Sequence, residues 1–196
     1  MAAQPATLAA ELLGRIDELS LSPGTVAGRE AFAVHPLGLA GQPLRLRLAE
    51  EIGSISVPVE PVGYSPQGVR KTLTLSLPQP VFEAFVALEE ACREKLAGLA
   101  PGPEVRALWH SSLCPARGGQ PALKAKINLS GPCAARFYDG AGVNVRPPCA
   151  WTGLCVKALV LVRGCYVKRQ AGGAPSAYGM VLEVTHLSYG VPSCPF

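Results

Sequence analysis

The sequence predicts a mainly β protein whose antiparallel strands close, fully or in part, into a small barrel with one or two accessory helices. Three observations predict it. Apolar and polar residues alternate in short runs divided by Gly- and Pro-rich links. Only two stretches carry helical spacing. The strand candidates are also not separated by the regular helices that a doubly wound parallel sheet needs. With 48% hydrophobic and 16% charged residues, the 196-residue chain can bury a sizeable core and is too apolar to be mainly disordered.

The elements follow in order. Leu8, Leu12, Ile16 and Leu19 fall at helical spacing and give a short amphipathic helix that ends at SPG. LRLRL, Leu44 to Leu48, alternates as a half-buried strand does. SISVPVEPV, Ser54 to Val62, is β-branched, but Pro58 and Pro61 confine it to a sheet edge or an extended loop. KTLTLSL, Lys71 to Leu77, is the cleanest alternation. After Pro78 the period changes, and Val81, Phe85, Leu88, Cys92 and Leu96 share one helix face up to GLAPGP. Four strand candidates follow, at 123–129, 142–145, 155–167 and 178–189, the last two joined by KRQAGGAPSA, a hairpin loop by composition. Five strands with one helix inserted or appended suit an oligonucleotide-binding (OB) barrel.

Several classes of chemistry lack a signal. The longest apolar run, Ala158 to Val162, is far short of a bilayer span, so a soluble protein with no membrane partner is expected. Glu11, Asp17 and Glu18 stand where a secretory or transit sequence avoids acids, so no targeting signal is expected. Seven cysteines without a regular framework fit reduced thiols inside a cell. From Cys133, through Cys149 and Cys155, to Cys165 the gaps are 15, 5 and 9 residues, none of them a knuckle that brings two thiolates to one zinc; the best remaining pair is Cys149 with Cys114. Cys155 and Cys165 lie in strand-like runs, where Cys acts as a small buried hydrophobe. There is no GxSxG, HExxH or phosphate-cradling Gly loop, and only Glu104, Asp139 and Glu183 supply carboxylates after residue 103. No enzyme activity, catalytic residue, metal or cofactor is expected; a thiol-dependent enzyme is the weakest of the readings.

Charge is distributed unevenly. Residues 1–103 carry 8 Lys+Arg against 11 Asp+Glu, and residues 104–196 carry 10 against 3, balances of −3 and +7. A basic half interleaved with aromatics suits single-stranded nucleic acid, where cations track phosphates and aromatic faces stack bases. The candidate cations are Lys124, Lys126, Arg136, Lys157, Arg163, Lys168 and Arg169, with Arg70 and Lys71 extending the groove from the other half. The candidate stacking residues are Trp151, in a loop-like stretch and the best exposed, Phe137 or Tyr138 in the FYDG turn, and Tyr166. In LKAKINL, Lys124, Lys126 and Asn128 share one face. In 155–167, Lys157, Leu159, Leu161, Arg163 and Cys165 share another.

PALKAKI (121–127), FYDGAGVNV (137–145), WTGLCVKALVLVRGCYV (151–167) and YGMVLEVTHL (178–187), in that order, resemble the single-stranded DNA-binding proteins of large DNA viruses and of T7-like phages. The resemblance spans roughly residues 44–190. It implies an OB barrel that binds displaced single strands in replication, recombination or repair, with little sequence preference. Single-stranded DNA is the implied partner, RNA the alternative, and replication proteins or a second copy of the chain further partners. The implied location is intracellular, at the site of DNA replication in a nucleus or viral factory. One departure is the C-terminus, VPSCPF, which has a terminal Phe196 but none of the acids of a recruiting tail. The expected organisation is an N-terminal helix and extension (1–43), an OB-like binding domain (44–190) and a tail (191–196). The rival reading is a β-sandwich structural or assembly module that docks an acidic partner through its basic face.

Overall fold

The computed structural model describes residues 7–26, 32–52, 55–59, 70–99, 104–115, 120–151, 154–170 and 173–189. The main strands are β1 (Phe32–Leu39), β2 (Gln42–Ile52), β3 (Ile55–Val59), β4 (Arg70–Ser76), β5 (Pro121–Asn128), β6 (Arg136–Tyr138), β7 (Val156–Arg169) and β8 (Pro175–Tyr189). One α-helix, α1 (Gln79–Leu99), stands between β4 and β5, and Ala9–Glu18 form a 3₁₀ helix.

β7 and β8 are the spine of the sheet. They pair antiparallel from Val156↔Tyr189 to Arg169↔Pro175. The far edge of β7 is covered by one stretch of chain laid end to end: β1 pairs with Gly164–Lys168 and β2 with Val156–Val162, while the tip of the β1–β2 hairpin leaves the edge to pair with Leu19–Leu21. The far edge of β8 is treated alike. Trp109–His110, β5 and β6 line it in succession, all parallel to β8. β4 then pairs with β5, and β3 with β4.

The expected antiparallel sheet is therefore mixed. β5 and β6 reach β8 through β7, and that crossing brings them in parallel. Nor is a closed barrel present: the pairing path runs from Thr7–Leu8 to β3, and among the described residues its ends do not meet. β3 occupies the terminal position to which its proline confines it. The division expected at residues 43/44 falls inside the β1–β2 hairpin, so residues before it belong to the same sheet.

Alternation decides which face is core. Leu44, Leu46 and Leu48 of β2, Leu73 and Leu75 of β4, Leu123, Ala125 and Ile127 of β5, and Val160 and Val162 of β7 are buried on one side. α1 turns Val81, Phe85, Leu88, Cys92 and Leu96 into the same core and packs against the 3₁₀ helix and β5. Its Glu89, only 2% exposed, accepts hydrogen bonds from Ser111 Oγ and Ser112 N, both at 2.7 Å, and pairs with Arg93, which lies over the Trp109 ring. Cys165 meets Cys92 beneath the helix, and the hydrogen bond between them, with burial, holds the Cys165 thiol protonated. Cys155, expected to be buried, is exposed one residue before β7.

Candidate nucleic-acid interface

The face opposite α1 is where the polar halves of these alternations collect. Across β5 and β4, Lys124 lies beside Thr74, Lys126 beside Thr72, and Asn128 beside Arg70. Lys126 is also in register with Glu183 of β8, and Glu183 with Leu161 of β7. Leu161 and Leu159 face Arg45 and Arg47 of β2. Leu159 pairs with His186, which pairs with Arg136; Lys157 pairs with Ser188, which pairs with Tyr138. Partners in register project to the same side of a sheet. Among the described side chains, one surface thus holds Arg45, Arg47, Arg70, Lys124, Lys126, Arg136, Lys157 and Arg163 around one acid, Glu183.

The β-bulge between Val162 and Gly164 extends this surface. The extra residue reverses the parity of β7: Cys165 and Val167 turn into the core, and Tyr166 and Lys168 turn outward. Cys165 is buried as expected, but simple alternation puts it on one face with Arg163; the bulge is what separates the two. From Lys157 to Lys168 the surface runs roughly 35 Å at strand spacing. Tyr166 lies over Gly179, where an added Cβ would come within 2.7 Å of its ring, and burial raises its phenol pKa.

The aromatics divide into core and surface. Trp151, expected to be exposed, is 7% exposed and packs edge to face on Phe137, 3% exposed, with centroids 5.9 Å apart. Both rings are core, because β6 turns Phe137 inward and the loop before β7 folds Trp151 onto it. Tyr138, the next residue, points the other way and lies parallel to His186, centroids 6.1 Å apart. An Asp139 turn holds this arrangement: its carboxylate accepts the Ala141 and Val143 N–H groups, and its carbonyl accepts Ser188 Oγ. His186 is kept neutral, its pKa lowered first by burial and then by Arg136 and Arg45.

The remaining expected residues are spread more widely. Lys71 follows Arg70 and so has the opposite parity, in register with core Ile127 and off the basic surface. Arg169 lies at the exposed hairpin end, where it donates to the Gly173 carbonyl at 2.9 Å. The VPSCPF tail and Pro61 lie outside the described residues. Among the described residues no group of three or more His, Cys, Asp or Glu side chains could hold a metal; Cys149 is exposed and Cys114 half-buried.

Four members of the surface were not anticipated: Arg45, Arg47, Glu183 and His186. The LRLRL alternation carried the signal for the first two. Glu183 and His186 become part of the site only through strand pairing, which no local pattern encodes.

The fold and this surface define a class: a mixed β-sheet with a helix on one face and a cationic, partly aromatic surface on the other. No family model matches the chain, and no curated protein matches it significantly. Among solved structures it is similar to gp2.5, a single-stranded DNA binding protein encoded by bacteriophage T7, with 17% identity over 71% of this chain and 86% of that one, and a TM-score of 0.45. It is also similar to a C-terminally truncated single-stranded DNA-binding protein from bacteriophage Enc34, with 11% identity over 90% of this chain and 98% of that one, and a TM-score of 0.46. Neither TM-score reaches 0.5.

Proposed function

We propose that this protein binds single-stranded DNA across the face opposite α1, with little sequence preference. The observation that carries the reading is the gathering of eight cations and the Tyr138–His186 stack on one surface around Glu183. Cations spaced along strands neutralise successive phosphates, and an aromatic face accepts any base because every base has a π-face. Half-buried Leu159 and Leu161 between the arginines give bases an apolar floor. The mixed sheet serves as an opened form of the OB barrel. Protection of displaced strands in replication, recombination or repair, at the site of DNA replication, is the role that such binding fits.

Fluorescence anisotropy with a labelled oligonucleotide tests this. Tyr138→Ala is expected to weaken binding by roughly 1–3 kcal/mol, with a smaller loss of melting temperature than a core substitution causes, because the ring is only half-buried. Trp151→Ala is the control, expected to lower stability through the core. Equal binding by wild type and Tyr138→Ala would remove the stacking role. Tight binding of an acidic protein, with no affinity for single strands, would assign the face to a protein partner.

A further inference from the structure

Among the described side chains Glu183 is the one carboxylate on a surface otherwise built of cations, and it is only 3% exposed. An acid beneath a phosphate-binding face opposes binding by its charge alone, so its presence there calls for a physical account. Its contacts supply one. One carboxylate oxygen pairs with Arg163 Nε and the other accepts Asn128 Nδ2; Lys126 is its partner in register on β5. Arg163 sits at the bulge where β7 changes parity, between Val162 and Gly164, which are in register with Leu182 and Val181. Held through Nε by Glu183 and hydrogen-bonded also to the exposed Cys133 thiol, the Arg163 side chain stays 44% exposed, and its remaining N–H donors can meet a phosphate.

Resting on the single-strand reading above, we infer that Glu183 is a positioning residue for strand binding: it anchors Arg163 at the bulge, and Asn128 across the β5–β8 seam, so that Arg163 presents its remaining N–H donors to a phosphate. The two effects of the carboxylate have opposite signs, which makes the inference testable. Removing its charge strengthens strand binding if only the field matters and weakens it if positioning matters.

The experiment measures affinity of the full chain for a labelled oligonucleotide, with melting temperature alongside. Glu183→Gln is expected to lower affinity roughly three- to five-fold. Glu183→Asp keeps the charge but shortens the reach; it is expected to lose a similar amount, where a pure field effect predicts no change. In an Arg163→Ala background, Glu183→Gln is expected to cause no loss, because the residue it positions is gone. Should Glu183→Gln fail to fold, the Glu183→Asp comparison carries the test. Variants that bind as tightly as wild type, or tighter, overturn the inference while leaving the binding surface intact. Absence of binding by wild type itself overturns the surface.

Discussion

Gly164→Ala lowers the melting temperature by roughly 6–12 °C, the shift expected for about 3 kcal/mol in a domain of this size. Gly164 has φ of +145°, a region that side chains with a Cβ rarely enter. It also has no room for one. A Cβ there would lie 1.9 Å from the His35 carbonyl oxygen and 2.9 Å from Pro36 Cα, both backbone atoms of β1. Neither yields cheaply, because Gly164 pairs with Pro36 at the point where the β1–β2 tip leaves the β7 edge. The bulge and the excursion are one feature, so the substitution disturbs both. Calorimetry that finds Gly164→Ala melting with wild type would show that the bulge is not the constraint described.

Replacing Arg47, Lys124, Arg136 and Lys157 together by Ala is expected to lower single-strand affinity by two to three decades at low salt, at roughly 1 kcal/mol per exposed contact. All four are exposed and lie on different strands of one surface. The dependence of log affinity on log salt should flatten by about 3, since each phosphate contact on a single strand contributes about 0.7. Exposed positions of this kind change stability little. Loss of affinity together with an unchanged salt slope would mean that these cations do not meet phosphates.

How much of this could be read from residues alone depends on how local each feature is. The α1 face, Val81 to Leu96, and the alternations at 44–48, 71–77 and 123–129 each depend only on their own period, and each forms the expected element. The Lys124–Lys126–Asn128 face follows from the same period. β1 was hidden because Pro36 and Gly38 interrupt FAVHPLGL, and tertiary pairing overrides both. FYDG reads as a turn offering Phe137 or Tyr138 for stacking; Phe137 turns inward, and Arg136, Phe137 and Tyr138 form a short strand. Arg70 and Lys71 could not both face one surface once the strand was assigned, a consequence of parity that composition obscures. Trp151 looked exposed because it lies in a loop and its core partner, Phe137, comes from a strand distant in sequence. The bulge at Gly164 reverses the faces of Cys165 to Lys168, and one glycine in an apolar run gives little warning of that.

The most direct measurement is photo-cross-linking of the full chain to a bromodeoxyuridine-substituted single strand, with the adducts located by mass spectrometry. A strand lying across the face opposite α1 gives adducts at Tyr138, at His186 or at Tyr166, and these fade as salt is raised. Adducts confined to α1 or the 3₁₀ helix, or none at low salt, would contradict the assignment of that face to single-stranded DNA.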